Sequence, residues 1–227
     1  IMDVVKAGKD TIGLVKKYKD IRDYYGTVTN EYLDATFIKN HDQIRLLSEL
    51  KGDLNRSKMA AGILLTLPGV PYLYYGEEIG MLGDKIMDYE TILGPDAYIR
   101  EPFIWDVDKT DKMQTSWEVA KLSTDKTVVP LAKQKNDPNS LYSFYKKFIH
   151  YRNSSEALTV GEIDYSPIAQ QEVVSFIRNV GEQKVLVVHN VSNVEVTIKL
   201  EGDLSSFKSI DFTTGEAASL EGGELKI

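Results

Sequence analysis

The apolar positions follow three rhythms along the chain. Val4, Val5, Ile12, Val15 and Ile21 recur at helical spacing among Lys and Asp, which predicts an amphipathic helix over residues 3–23 closed by Tyr24-Tyr25-Gly26. Ala35-Thr36-Phe37-Ile38 is an unbroken apolar run and predicts a buried strand over 35–39. Helical spacing returns over 53–67, with Asp53 as N-cap, Met59, Ala60, Ile63, Leu64 and Leu67 on the inner face, and Pro68-Gly69 and Pro71 as the stop. A second apolar strand follows over 72–75. The order helix, strand, helix, strand, with strands apolar throughout, is the pattern of buried parallel strands covered by helices.

Residues 76–135 break every rhythm, with Gly80, Gly83, Gly94-Pro95 and Pro102 among scattered Tyr89, Tyr98, Phe103, Trp105 and Trp117. So long an irregular stretch in a compact domain is usually functional. A helix is expected from Asp137-Pro138 to about Arg152, its face set by Leu141, Phe144, Tyr145, Phe148 and Ile149. From about residue 158 the pattern alternates. Strands are predicted over 173–178, 184–189 and 194–200, with hairpin turns at Val180-Gly181-Glu182 and Ser192-Asn193. Short antiparallel strands with tight turns indicate a β-sandwich, so two domains are expected, 1–157 and 158–227.

Composition narrows the function classes. The chain has 227 residues, 42% of them apolar, enough for one large domain or two small ones. Its 27 basic and 34 acidic residues give a net charge of −7, and no basic run of about five or more occurs, which argues against nucleic-acid or membrane-surface binding. No apolar run reaches the length of a membrane span. With no cysteine, disulfides, thiolate catalysis and Cys-ligated zinc are excluded. Ile1-Met2-Asp3 does not begin a signal peptide. The compartment stays open between extracellular and cytoplasmic, with the balance toward extracellular.

The candidate chemistry sits at the strand ends. Asn40-His41-Asp42 follows the first strand, and Glu77-Glu78 follows the second. By residue type, Asn-His-Asp is either a turn whose side chains bond nearby backbone or the polar strand end where parallel α/β folds place their chemistry. His150 and His189 fall within a helix and a strand and read as structural. Asp84, Asp88 and Glu90 lack the spacing of a calcium loop and read as a solvated face.

Two stretches together resemble the α-amylase family of glycoside hydrolases. Phe37-Ile38-Lys39-Asn40-His41-Asp42 matches the Phe-x-x-Asn-His-Asp that closes that family's seventh barrel strand. Gly69-Val70-Pro71-Tyr72-Leu73-Tyr74-Tyr75-Gly76-Glu77-Glu78 matches the Gly-x-Pro-x-x-Tyr-Tyr-Gly-x-Glu of its eighth. Arg100-Glu101-Pro102-Phe103-Ile104-Trp105 is similar to an Arg-x-Pro-x-x-Trp segment common after the eighth strand. The segment is equally readable as an aromatic mini-core pinning the loop or as a sugar contact. The resemblance implies the last two strands of a (β/α)8 TIM barrel, α/β in class, followed by the family's antiparallel β-sandwich domain.

What the resemblance implies for function is a retaining glycosidase acting on α-glucosidic bonds of starch or maltooligosaccharides. Asp42 would be the carboxylate that favours the distorted, oxocarbenium-like transition state. His41, Asn40, Arg100 and Glu77 would contact substrate, although Glu77 and Glu78 could equally support the Tyr74-Tyr75 loop through backbone hydrogen bonds. Transglycosidases and 1,6-glucosidases share the same motifs, and some members keep the barrel as a non-catalytic binding or scaffold domain. Retaining glycosidases need a nucleophile and an acid/base carboxyl. The family's Arg-x-Asp nucleophile motif does not occur in these 227 residues, nor does a strand-end Glu before Asp42. The expectation is therefore a C-terminal fragment, inactive alone. Its open strand edges should be covered by the remainder of the same enzyme or by self-association. No cofactor or metal site is expected in this chain; calcium would belong to the missing part.

Overall fold

The computed structural model describes residues 1–29, 31–87, 93–108, 110–207 and 219–227. Asp88, Tyr89 and Glu90 lie outside the described residues. In chain order the elements are α1 (Met2–Ala7), α2 (Leu14–Gly26), β1 (Ala35–Phe37), α3 (Leu46–Glu49), α4 (Leu54–Thr66), β2 (Val70–Tyr72), α5 (Leu131–Gln134), α6 (Leu141–Ser154) and α7 (Glu156–Thr159). They are followed by β3 (Glu162–Tyr165), β4 (Val173–Val180), β5 (Gln183–Asn190), β6 (Thr197–Lys199), β7 (Ser219–Glu221) and β8 (Glu224–Lys226). None of the described helices is long and apolar enough to cross a membrane. The chain divides into two compact units. One comprises Ile1–Asp34, Thr66–Gly69 and Arg152–Ile227; the other comprises Ala35–Leu65 and Val70–Tyr151.

In the first unit, the single helix expected over 3–23 is two helices. Gly8 takes a left-handed φ of 66° and its N–H caps α1 on Val4 O at 2.9 Å. Asp10 Oδ1 then accepts the Leu14 N–H at 3.0 Å, starting α2 afresh. The C-terminal region forms two antiparallel sheets, β3-β4-β5 and β6-β8-β7. Val180 pairs with Gln183 across Gly181-Glu182, so the first predicted hairpin turn is real, with Gly181 at φ 54°. Ser192-Asn193 is not a hairpin turn, because β5 pairs with β4 and β6 with β8: the chain changes sheets there. Asn190 organises that crossing, its Oδ1 accepting from Ser192 N and its Nδ2 donating to Val194 O. The two sheets share a core of Val173, Val196, Ile198, Leu200 and Leu225, packed with Ile177, Leu186 and Val188. That shared core makes the region a sandwich. The last residues supply β8, the middle strand of its sheet.

The corner at Thr66–Gly69, which ends α4, is held by side chains taking each of its four carbonyls. Arg178 Nη1 donates to Thr66 O (2.6 Å), Arg152 Nη1 to Leu67 O (2.7 Å), the Tyr18 hydroxyl to Pro68 O (2.8 Å) and Arg152 Nη2 to Gly69 O (2.5 Å). Thr66 O is a terminal carbonyl of α4, without an intrahelical partner and at the negative end of the helix dipole, so a cationic donor suits it; Leu67, Pro68 and Gly69 form the turn beyond. Gly69 has φ 90°, and a Cβ there would stand 2.6 Å from Asp34 O; only glycine fits. His189 is buried, hydrogen-bonded through Nε2 to Thr66 Oγ1 at 3.0 Å, and burial pushes its pKa down to about 4.

In the second unit, β1 and β2 pair in parallel, Ala35 with Val70 and Phe37 with Tyr72. The second strand thus precedes the 72–75 expected, and Tyr74-Tyr75 belong to the loop after it. Asp53 caps α4 through Oδ1 to the Arg56 N–H at 3.0 Å. α6 begins four residues later than Asp137 because Ser140 is the cap, its Oγ accepting the Ser143 N–H at 3.1 Å. Among the described residues β1 and β2 pair only with each other, and Phe37, Val70 and Tyr72 are exposed rather than buried. The 76–135 stretch is built on an apolar cluster of Ile79, Met81, Ile104, Val128 and Leu131 with Phe103 and Trp105 against it. Phe103 and Trp105 pack ring to ring at 4.7 Å, tilted by 54°, against that cluster, so the aromatic segment is a mini-core. Glu101, fully buried, accepts the N–H groups of Lys121 (2.6 Å), Leu122 (3.0 Å) and Ser123 (2.6 Å) and so ties the far end of the stretch back to the Arg100 segment.

Candidate active site

The parallel pairing places the loops after β1 and β2 side by side at the same end of the two strands, the end where α/β barrels carry their chemistry. The first loop is shaped by Asn40, whose Oδ1 accepts the Asp42 N–H at 2.9 Å. The turn reading of Asn40 is therefore correct as far as that side chain goes. The turn leaves His41 and Asp42 projecting, with 64% and 58% of their side chains exposed. His41 Nε2 lies 3.3 Å from Asp42 Oδ2.

Arg100 reaches this loop from the 76–135 stretch. Its Nε donates to His41 O at 3.0 Å, and its Nη2 bridges Asp42 Oδ1 at 3.0 Å and Asp96 Oδ2 at 2.9 Å. Lys85 Nζ completes the chain at 3.2 Å from Asp96 Oδ1. Alternating charges thus run from Lys85 through Asp96 and Arg100 to Asp42, with the His41 ring beside it. The guanidinium fixes one oxygen of Asp42 and offsets its charge, while exposure leaves lone pairs free to accept from an approaching hydroxyl.

Arg45, which sequence reasoning passed over, is the hub beneath. It is fully buried, its Nη1 donates to Tyr75 O at 2.6 Å, and its guanidinium packs on the rings of Tyr74 (4.6 Å) and Tyr75 (4.7 Å). Its backbone N–H bonds Gly83 O at 3.0 Å. One residue therefore joins the Asp42 loop, the Tyr74-Tyr75 loop and the Gly83 segment. The available signal was a cation in an otherwise apolar run, Ile44-Arg45-Leu46-Leu47. Two glycines make room for it. A Cβ on Gly76 would come within 2.9 Å of Arg45 Nη1, and one on Gly83 within 2.9 Å of Arg45 Cδ.

The two acidic residues of the second motif part company. Glu78 Oε2 accepts the Gly76 N–H at 2.7 Å, the backbone-supporting role. Glu77 turns inward, 3% exposed, and burial pushes its pKa up to about 8 against the opposing influence of Arg45. Interior placement does not fit the substrate contact expected of it. Asp84 is exposed and accepts its neighbour's N–H from Lys85 at 2.7 Å. Lys39, within the first motif, is buried and paired with Glu49.

The chain is similar to known proteins over most of its length. The profile described as alpha amylase, catalytic domain, matches residues 5–161, and that of the alpha-amylase SusG C-terminal domain matches 173–227. Alpha-amylase 3 of Dictyoglomus thermophilum is 35% identical over 90% of this chain and 39% of its own length. An oligo-1,6-glucosidase of Bacillus cereus is 28% identical over 76% of this chain and 37% of its own. The crystal structure of an alpha-amylase from H. orenii superposes with a TM-score of 0.81 at 33% identity, over 99% of this chain and 43% of that one. The chain thus spans about two fifths of the length of these relatives. With the catalytic-domain profile covering most of its residues and a partial parallel barrel joined to antiparallel sheets, the chain belongs to the α-amylase family.

Proposed function

We propose that the whole protein is a retaining glycoside hydrolase that cleaves α-glucosidic bonds in starch or maltooligosaccharides, and that Asp42 is its transition-state-stabilising carboxylate. The observation that carries this reading is the exposed Asp42 at the end of β1, held on one oxygen by Arg100 and flanked by His41. A carboxylate in that setting accepts hydrogen bonds from ring hydroxyls that strengthen as the sugar flattens, which supplies several kcal/mol to the transition state. The His41 imidazole presents its ring nitrogens to the same sugar. Asn40 acts by shaping the loop and Arg100 by aligning Asp42, each at the rim of the substrate. The nucleophile and the acid/base lie outside these 227 residues, since no Arg-x-Asp and no earlier strand-end Glu occurs among them. We place the change from catalytic barrel to β domain near residue 157, where the last helices give way to strands. Hydrolysis of α-1,6 bonds or glucosyl transfer by the same site is the alternative, supported by the family's shared motifs.

The test is kinetic, on the full-length enzyme with a chromogenic maltooligosaccharide. Asp42→Asn should lower kcat by about 100-fold or more while KM moves by only a few-fold, the signature of a contact made mainly in the transition state. A variant with near-normal kcat would overturn the assignment of Asp42.

A further inference from the structure

Six buried side-chain polar atoms lack a hydrogen-bond partner among the described residues, and five of them belong to three neighbours: Arg45 Nε and Nη2, both carboxyl oxygens of Glu77, and the Tyr145 hydroxyl. All three side chains are almost wholly buried, at 0%, 3% and 1% exposure for Arg45, Glu77 and Tyr145. They act on each other, Arg45 on Glu77 and Glu77 on Tyr145. The other charged groups facing Glu77 are already engaged, Lys39 by Glu49 and Glu78 by the Gly76 N–H. Buried groups of this kind are rarely left unmade, and neighbouring buried donors and acceptors without protein partners are the setting in which ordered water is found. Water suits both kinds of group where an ion would suit only one, since a cation would face Arg45 and an anion would face Glu77. Water accepts from the Arg45 guanidinium and donates to the Glu77 carboxyl group.

We propose that Arg45, Glu77 and Tyr145 enclose an internal water site, and that through it Glu77 is a positioning residue for the Asp42 loop. Water bridging Glu77 to the free edge of the Arg45 guanidinium fixes the one side chain that ties together the Asp42 loop, Tyr75 O and the Tyr74-Tyr75 rings. The residue concerned occupies the position that the Gly-x-Pro-x-x-Tyr-Tyr-Gly-x-Glu pattern leaves unspecified. The catalytic consequence rests on the function proposed above; the water site does not.

Two readouts on the full-length enzyme separate these levels. A crystal structure that resolves ordered water should show at least one molecule bridging Glu77 to Arg45 or Tyr145. A direct Glu77–Arg45 ion pair with no water there overturns the proposal. In kinetics, Glu77→Leu should lower kcat about tenfold or more with KM little changed, since small misplacements of a catalytic group are costly. Glu77→Gln keeps polar contacts to water and should restore most of that kcat. Tyr145→Phe, a single-atom change suited to the case where Glu77→Leu does not fold, should lower kcat in the same direction. Unchanged kcat in folded Glu77→Leu or Tyr145→Phe, or a Glu77→Gln as slow as Glu77→Leu, overturns the positioning role. A wild-type enzyme with bridging water but no glycosidase activity would instead refute the functional reading and leave the water site standing.

Discussion

Glu101→Gln is the sharpest perturbation of the long stretch after β2. The native carboxylate receives three backbone N–H groups at two oxygens: Oε1 serves Lys121 and Leu122, while Oε2 serves Ser123 at 2.6 Å and Leu122 at 3.2 Å. A glutamine of the same shape replaces one acceptor oxygen with an amide that can only donate. Whichever oxygen is lost, a short bond to a carboxylate disappears and a donor is pressed against a donor. Hydrogen bonds to charged groups are worth about 1.5–3 kcal/mol, and a buried unsatisfied donor costs a similar amount. The local loss should therefore be about 3 kcal/mol, or roughly 100-fold in the opening equilibrium. Native-state hydrogen exchange reads it directly: the amides of Lys121, Leu122 and Ser123 should exchange roughly 100-fold faster, while amides of the β4–β5 hairpin keep their protection. Exchange at those three amides within a factor of three of wild type would show that Glu101 does not hold the segment.

Further outcomes follow from the same structure. Gly76→Ala puts a Cβ 2.4 Å from Met81 Sδ and 2.9 Å from Arg45 Nη1 at φ 86°, and should destabilise by about 2–4 kcal/mol in urea unfolding; a loss below 1 kcal/mol would count against the packing described. His189 has a folded pKa of about 4 against 6.5 unfolded, so the unfolded chain binds the extra proton between those values. Its contribution is intact above pH 6.5 and is lost as pH falls toward 4, by roughly 3 kcal/mol, and His189→Gln should remove that slope from stability measured against pH. Arg178→Met leaves Gly161 O and Thr66 O without their buried cationic donor and should lower the thermal midpoint by several degrees; an unchanged midpoint would refute the role assigned to that corner.

How much of this was legible in the residues can be argued element by element. Periodicity found α4, β4 and β5 because each buries a regular face, and period alone decides which residues share it; β1 was found as a short apolar run, although Phe37 in it is exposed. The Gly181-Glu182 hairpin was readable because its turn chemistry is local. The two motifs located Asn40, His41 and Asp42, since a run of polar groups after an apolar strand needs no tertiary information to be noticed. Local chemistry also misled. Helical spacing ran through Gly8 and Gly13 as though they were solvent-facing, whereas both take left-handed φ values that separate α1 from α2. The Ser192-Asn193 turn looked like a hairpin because the sequence signals a reversal without saying which sheet the next strand joins. What only the tertiary structure decided concerns charged groups whose partners lie far along the chain. Nothing local marks Arg45 as a hub until Tyr74, Tyr75 and Gly83 close around it, 29 residues or more later. Nothing local singles out Glu101, and Glu77 reads as a substrate contact or loop support, until burial turns one into a clasp for three backbone amides and the other into a wall of an internal polar site. A charge can enter the interior only when such distant partners are brought to it, and the sequence around each residue holds no record of them.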